Sequence, residues 1–169
     1  AFGDKTVANG KTVTATGTLL GGAQAGRYTL AQPTATANIT TKALTVTGIT
    51  ANNKVYDGTT TASLSNGTLV GVVAADAANV TLTHAGTFAD KNVGVAKVVT
   101  AANTIGGTES GNYTLSQPTG LSADITAKAL TVSGTTVANK VYDGTTTASL
   151  SNGTLVGVVA ADAAHVTLT

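Results

Sequence analysis

Hydrophobic and polar residues alternate along several short segments of the chain. In residues 44–47, Leu-Thr-Val-Thr, the two aliphatic positions share one face and the two threonines share the other. The segments 13–16, 80–83, 113–116 and 123–126 follow the same pattern. A period of two with many β-branched residues is typical of a strand with one buried face. The pattern therefore predicts an all-β protein.

Turn-forming residues separate the predicted strands. The Asp-Gly pair at 57–58 precedes a run of threonines and favours a hairpin, because Gly accepts the positive φ of a tight turn. Further turns are predicted at Asn-Gly 66–67 and Gly-Gly 106–107. Residues 72–78 have a helix-like composition but are too few for a stable helix, so we interpret them as a connection.

A long block of the sequence is present twice. Residues 54–60, Lys-Val-Tyr-Asp-Gly-Thr-Thr, return unchanged 86 residues later, and residues 43–83 match 129–169 at all but five positions. Near-identity at a fixed long period indicates a tandem array of one structural unit. The spacing of turns predicts about seven or eight short strands per repeat.

The period divides the chain into three parts. We expect the second half of a repeat at 1–41, a complete repeat at 42–127 and the first half of a repeat at 128–169. The joint at 125–132 contains no Gly-, Pro- or Ser-rich spacer, so it should be stiff.

Each flanking half alone would expose apolar strand faces and unpaired edges. Two arrangements would remove that exposure. In one, the boundary between folded domains lies in the turn at 84–86, which gives domains 1–83 and 84–169. In the other, which we favour, the last half of one molecule pairs with the first half of the next in head-to-tail self-association.

The apolar positions of these strands predict the core of the complete repeat. The predicted core residues are Leu44, Val46, Val55, Tyr56, Leu64, Leu69, Val80, Leu82, Phe88, Val98, Ile105, Tyr113, Leu115 and Ile125.

Composition narrows the classes of function. The absence of Cys excludes disulfides and Cys-based metal sites, and a net charge of +1 does not favour nucleic acid or an anionic membrane as partner. No apolar run approaches the roughly 20 residues of a membrane helix. Glu109 is the only Glu, and His84 and His165 occupy non-equivalent positions. We therefore predict no enzyme, no catalytic residue and no cofactor site.

Asp57, Asp90 and Asp124 recur near turns, where they are either calcium ligands or turn-forming residues. Each is isolated, whereas a tight calcium site needs several carboxylates close together. We favour turn-forming aspartates that accept bonds from nearby backbone N–H groups, and we predict no metal. Tyr56 and Tyr142 are interpreted as half-buried core residues rather than ligand-stacking aromatics.

Lysines near asparagines raise the possibility of an internal isopeptide bond. Lys54, Lys91 and Lys97, with Asn92 or Asn112, supply the reacting groups, and Asp57 or Asp90 would assist. We favour the alternative that these lysines are solvated strand residues that discourage edge pairing.

Four motifs together resemble a known family. Lys-Val-Tyr-Asp-Gly-Thr-Thr at 54–60, Phe-Ala-Asp-Lys-Asn-Val-Gly at 88–94, Gly-Asn-Tyr-Thr-Leu at 111–115 and Ala-Asp-Ile-Thr-Ala-Lys-Ala-Leu-Thr-Val at 123–132 resemble YDG-type repeats of large bacterial surface and secreted proteins. Many of those proteins are filamentous-haemagglutinin-like adhesins. The resemblance implies an extracellular location at the bacterial cell surface and brings no catalytic residue.

Two positions depart from this pattern between the copies. Arg27 stands where the second copy has Asn112, and Asn38 stands where it has Asp124. Any role assigned to Asn112 or Asp124 is therefore not shared by both copies.

We predict a tandem of immunoglobulin-like β-sandwich repeats of about 86 residues, with a β-helix or solenoid as the alternative fold. The predicted function is a structural stalk or spacer, with neighbouring repeats as partners. The alternative is a carbohydrate- or host-protein-binding adhesin module.

An intact-mass measurement tests the isopeptide alternative. We expect the mass of the unmodified sequence, because such a bond requires a buried lysine and lysine is rarely buried. A mass lower by one ammonia would contradict this expectation.

Overall fold

The structure is a computed structural model that describes all 169 residues. It contains eighteen β-strands and only four short 3₁₀ helices. The longest strand has eight residues. The predicted all-β class is confirmed.

The strands lie in four successive parts of the chain, which are the two halves of the complete repeat and the two segments that flank it. In 1–41 they are β1 (Ala8–Thr14) and β2 (Thr34–Ile39). In 42–83 they are β3 (Lys42–Thr47), β4 (Thr50–Ala51), β5 (Lys54–Val55), β6 (Thr61–Ala62), β7 (Leu64–Ser65), β8 (Thr68–Val70) and β9 (Thr81–Thr83). In 84–127 they are β10 (Gly86–Phe88), β11 (Gly94–Ala101), β12 (Thr104–Gly106), β13 (Tyr113–Leu115) and β14 (Leu121–Thr126). In 128–169 they are β15 (Thr131–Ser133), β16 (Thr136–Val137), β17 (Leu150–Ser151) and β18 (Thr154–Val156). The 3₁₀ helices are Ala25–Arg27, Ala74–Asn79, Ser110–Asn112 and Ala160–Asp162.

The complete repeat has twelve strands rather than the predicted seven or eight. Turns with positive φ at Gly48, Gly58 and Asn66 break the first half into pieces as short as two residues. The predicted connection at 72–78 overlaps a 3₁₀ helix, Ala74–Asn79, which is the tighter geometry available to so short a segment.

The strands pair mostly in antiparallel fashion. Two pairs are parallel, β13 with β3 and β14 with β5, and the other nine are antiparallel. This mixed pairing does not form the stacked coils of the alternative β-solenoid.

The chain forms two compact units, and it passes between them repeatedly. The first unit comprises 1–48, 67–83 and 103–118, and the second comprises 49–66, 84–102 and 119–169. Each unit therefore contains segments of the complete repeat together with one flanking half. Neither unit corresponds to 1–83 or 84–169.

The first unit is built around a sheet with the order β13-β3-β8. Alternation in β3 buries Leu44 and Val46 on one face and exposes the threonines on the other. Leu44 packs with Val80 and Tyr113 in one hydrophobic cluster. The strand pairs β9–β12 and β1–β2 belong to the same unit.

The second unit is built around a five-stranded sheet with the order β5-β14-β11-β10-β6. Its core cluster consists mainly of small and aliphatic residues around one aromatic ring. The buried members are Ala62, Leu64, Phe88, Val99, Ala101, Ala123 and Ile125.

Two predicted core residues are wrong, because Val55 and Val98 are exposed. In β11 the buried residue is the next one along the chain, Val99. A register shift lies between Gly94 and Lys97, where Ala96 has a φ of 49°. Such a bulge inserts one residue and exchanges the two faces of the strand.

In β5 the neighbouring lysine takes the inward position that was predicted for Val55. The Lys54 Nζ lies 5.7 Å from the centroid of the Phe88 ring, a cation–π arrangement. The methylene stem of a lysine can cover apolar surface while its ammonium finds polar partners. The Lys54 ammonium donates to the carbonyl oxygens of Thr59 and Thr61, at 2.9 and 3.1 Å.

Matched leucine variants in the second unit test this core. Leu64 is 8% exposed, whereas its repeat equivalent Leu150 is 66% exposed. We expect Leu64→Ala to lower the free energy of unfolding by about 2–5 kcal/mol, because it leaves a cavity. Leu150→Ala should change it by no more than about 0.5 kcal/mol.

Chemical denaturation at a concentration where the chain is monomeric measures both values. Equal losses for the two variants would contradict the assignment of Leu64 to the core.

Candidate functional site at the repeat junctions

Two aspartates occupy the same position in successive repeats. Asp76 and Asp162 are 86 residues apart, each in the segment Val-Val-Ala-Ala-Asp-Ala-Ala. Each segment forms a 3₁₀ helix, in which the aspartate N–H donates to the carbonyl of the valine three residues earlier, at 2.8 Å in both cases. The same local sequence therefore presents the same carboxylate twice.

Asp76 lies in the first unit and is buried. Its Oδ1 accepts from the Lys5 ammonium at 2.6 Å, and its Oδ2 accepts from the Tyr113 hydroxyl at 2.8 Å. Lys5 belongs to the part of the chain that the period assigns to the preceding repeat, whereas Tyr113 belongs to the same repeat as Asp76. This carboxylate therefore joins two successive repeats.

Asp162 lies in the second unit and makes an equivalent junction. Its Oδ2 accepts from the Tyr56 hydroxyl at 2.6 Å, and its Oδ1 lies 3.7 Å from the Lys91 ammonium. Lys91 is the repeat equivalent of Lys5. Both Tyr56 and Lys91 belong to the repeat that precedes Asp162.

Further polar groups surround the Asp76 junction. The Lys5 ammonium also lies 3.3 Å from Oε2 of Glu109, which accepts from the Asn112 side-chain amide at 2.8 Å. Asn112 in turn accepts from the Val7 N–H at 2.9 Å. Together these bonds tie the Lys5–Val7 segment to the second half of the next repeat.

Four of the junction groups, Asp76, Lys5, Tyr113 and Tyr56, have pKa values displaced away from neutrality. Hydrogen bonds from Lys5 and then Tyr113 hold the pKa of Asp76 below its usual range, and bonds to Asp76 and Glu109 raise the pKa of Lys5. Burial and the bond to Asp76 raise the pKa of Tyr113. The bond to Asp162 raises the pKa of Tyr56. Catalytic acids and bases are usually shifted toward neutrality, so this arrangement suits a permanent contact.

An open pocket lies beside each aspartate. The pocket next to Asp76 has a volume of about 280 Å³, and the one next to Asp162 about 190 Å³. Equivalent residues line the two pockets, among them Val73 with Val159 and Lys42 with Lys128. They are therefore one site in two copies.

A family model named YDG domain matches residues 40–120 and 126–169. The chain belongs to the YDG domain family. No curated protein and no solved structure is significantly similar to it. Asp76 lies in the first YDG match and Asp162 in the second, so the shared junction position falls within the family region. No helix of the structure is long and apolar enough to cross a membrane.

The aspartates that were weighed as calcium ligands in the YDG repeats mostly organise turns. Asp57 accepts from the Thr59 N–H at 2.9 Å, and Asp90 accepts from the Asn92 N–H at 2.7 Å, as predicted for turn-forming aspartates. Asp124 instead accepts from Ala96 in the bulge of β11, at 2.7 Å. No group of three or more His, Cys, Asp or Glu side chains has the geometry of a metal site.

The prediction of solvated lysines is wrong for two of the three. The side chains of Lys54 and Lys97 are only 16% and 14% exposed. They pair with Asp57 and Asp90, at 2.7 and 2.6 Å. The methylene stem of each lysine is shielded while its ammonium reaches a turn aspartate, so burial and pairing occur together.

Aromatic and histidine side chains give mixed outcomes. Tyr56 is half-buried against the core of the second unit, as predicted, but Tyr142 is 93% exposed. Both histidines were expected to be exposed loop or strand residues; His165 is exposed, whereas His84 is half-buried, and its buried Nε2 has no hydrogen-bond partner.

Asp76, Asp162 and the pairing role of Lys5 were not predicted from the sequence. The sequence feature that could have indicated this site is an isolated aspartate in an otherwise apolar segment, 72–78, which returns unchanged at 158–164. An acidic residue at such a position needs a partner, but the sequence does not identify which one.

Acid titration tests the Asp76 junction. The pKa of Asp76 is below its ordinary 3.8 in the folded chain, so its contribution to stability is complete above pH 3.8 and is lost as the pH falls below that value. Asp57, whose pKa is lowered to about 2 mainly by Lys54, acts in the same direction. We expect Asp76→Asn to lower stability at pH 7 and to flatten the acid limb of the stability profile.

The control is Asp124→Asn, because Asn38 at the equivalent position accepts from Gly10 at 2.8 Å in the same way. This variant should leave stability at pH 7 nearly unchanged. Thermal melts followed by circular dichroism between pH 2 and 7 measure both variants, and an acid limb that Asp76→Asn leaves unaltered would refute the assignment.

Proposed function

We propose that this chain is a structural spacer from a bacterial cell-surface adhesin or extracellular filament, and that it has no catalytic role. In this proposal, tandem immunoglobulin-like repeats hold a binding tip away from the cell, and the number of repeats sets the distance. The membership in the YDG family and the resemblance of its motifs to adhesin repeats support the cellular setting.

The observation that carries the proposal is the recurrence of the junction at a fixed offset. Lys5 with Asp76, and Lys91 with Asp162, join successive repeats through the same residue types. A spacer needs joints of this kind, since each added repeat then extends the array in the same way.

The chemistry of the junction also favours a mechanical role. Its groups are ion-paired or hydrogen-bonded, and the pKa values of Asp76, Lys5 and the two tyrosines are displaced away from neutrality. A buried ion pair adds little net stability but fixes the relative position of the two groups that it joins. The junction therefore serves to set the arrangement of successive repeats.

A display experiment tests the spacer function. Arrays of two, three and four repeats are placed between a membrane anchor and a fluorescent tip on a cell surface. We expect the height of the tip to rise by a constant increment for each repeat. Arrays with Asp→Asn at every position equivalent to Asp76 should lose this regularity, and a height independent of copy number would contradict the proposal.

Binding assays on the same arrays test the alternative function. A glycan array and a panel of host matrix proteins should show no binding to the repeats themselves. Specific binding would instead support the carbohydrate- or host-protein-binding module.

A further inference from the structure

The Tyr-Asp-Gly turn of the complete repeat contacts the repeat that follows it at two points, and both partners lie in the second unit. The first contact is the bond from the Tyr56 hydroxyl to Oδ2 of Asp162, at 2.6 Å. The second is at Gly58, where an added Cβ would lie only 2.8 Å from Cγ1 of Val159. The turn therefore approaches this valine so closely that only a residue without a side chain fits.

The two contacted residues lie on one face of the following repeat. Val159 is the N-cap of the 3₁₀ helix Ala160–Asp162, and its carbonyl accepts from the Asp162 N–H at 2.8 Å. Side chains three residues apart eclipse each other along a 3₁₀ helix, and both Val159 and Asp162 line the pocket beside this junction. The pattern Val-x-x-Asp therefore presents an aliphatic group and a carboxylate side by side.

Gly58 meets two separate requirements, a backbone conformation and a close approach. It has a φ of 80°, and Gly144 at the equivalent position has a φ of 74°. Residues with a side chain adopt this region only with strain. A Cβ added at Gly144 would nevertheless meet no atom within 4 Å beyond its own chain neighbours. The contact with Val159 is thus a requirement of its own.

Polar bonds fix the turn in place. Oδ1 of Asp57 accepts from the Thr59 N–H at 2.9 Å and from the Thr59 hydroxyl at 2.8 Å. It also lies 2.7 Å from the Lys54 ammonium, which donates to the carbonyl of Thr61 in β6 at 3.1 Å. The turn is bonded at both ends, so it does not move away from Val159 without breaking several hydrogen bonds.

Val159 does not move aside easily either. A valine has restricted χ1 freedom because it branches at Cβ, and the atom that faces Gly58 is one of the two branches. Displacing that atom means rotating the whole side chain or shifting the segment that carries Asp162. A methyl group at Gly58 would therefore disturb the bond of Tyr56 as well as the apolar contact.

We propose that the Tyr-Asp-Gly turn is a recognition surface for the following repeat and accepts a segment with the pattern Val-x-x-Asp. Tyr56 recognises the carboxylate. Gly58 determines specificity by shape, because a side chain at this position would fill the space that Val159 occupies. Lys54 and Asp57 are positioning residues, which hold the turn against the segment.

This inference assigns a separate role to each residue of the motif. Tyrosine supplies the hydrogen bond, aspartate shapes the turn and glycine leaves room for the neighbour. The partner segment Val-Val-Ala-Ala-Asp is present at 72–76 and again at 158–162. The inference concerns how successive repeats recognise each other, and it does not depend on whether the array serves as a spacer.

A double-mutant cycle on the full chain tests the contact between Gly58 and Val159. We expect Gly58→Ala to lower the melting temperature, because it adds a clash to the strain of the turn. Val159→Ala should lower the melting temperature of the parent chain but raise that of Gly58→Ala by about 3 °C or more, because it removes the clash. The backbone strain is present in Gly58→Ala with and without Val159→Ala, so the cycle isolates the contact.

Amide hydrogen exchange measures the following repeat directly. The N–H groups of Asp162 and His165 each donate within the 3₁₀ segment, at 2.8 Å. In Gly58→Ala we expect both amides to exchange about tenfold faster or more, relative to the core strand β11. Adding Val159→Ala should restore their protection. Gly144→Ala is the matched control, with similar backbone strain and no close neighbour, and should leave both amides unchanged.

The positioning role of Lys54 has its own matched pair. Lys140 makes the same local bonds, to Asp143 at 2.8 Å and to the carbonyl of Thr145 at 2.8 Å. Lys54→Met should speed exchange at the Asp162 and His165 amides relative to β11, whereas Lys140→Met should not. A role of Lys54 in core stability alone would change exchange in β11 by the same factor.

If Gly58→Ala does not fold, the double variant decides, since the proposal requires that Val159→Ala restores folding. The proposal is overturned if Val159→Ala lowers the melting temperature equally in both backgrounds. It is also overturned if Gly58→Ala and Gly144→Ala leave the Asp162 and His165 amides equally protected.

Discussion

Strand pairing between the two halves of a repeat is the constraint on which this structure depends. Where both halves are present, strands from 84–127 pair with strands from 42–83, and two small hydrophobic cores close around Leu44 and Phe88. In 1–41 and in 128–169 the strand pairs are β1–β2, β15–β18 and β16–β17, each between strands close in the sequence. Each core contains few buried residues. Strand pairs between distant parts of the chain therefore decide which apolar residues are buried.

The junction aspartates depend on the same pairing. Tyr113 reaches Asp76 because β13 lies beside β3, and Tyr56 follows β5, whose partner is β14. A buried carboxylate without partners would be costly, and the sheets bring a lysine and a tyrosine to it. Sheet topology and junction chemistry are therefore one arrangement, and a change in either one alters the other.

Local pattern predicted the parts of the fold that local physics controls. Alternation located β3, β9, β13 and β14, and the buried residues Leu44, Val46 and Ile125. It failed at Val98, because the bulge at Ala96 reverses the faces of β11 and alternation does not reveal an inserted residue. The junction was missed because Lys5 and Asp76 are 71 residues apart, and only the folded topology brings them together.

The fixed offset of the junction has a consequence for how such a protein can change over generations. At both junctions a lysine and an aspartate from the same two repeat positions meet, Lys5 with Asp76 and Lys91 with Asp162. Unequal recombination between the near-identical coding segments would therefore add or remove whole multiples of 86 residues while the lysine–aspartate pair of each joint is kept. Array length can then vary through gene rearrangement alone, without compensating mutations in the residues that hold the repeats together.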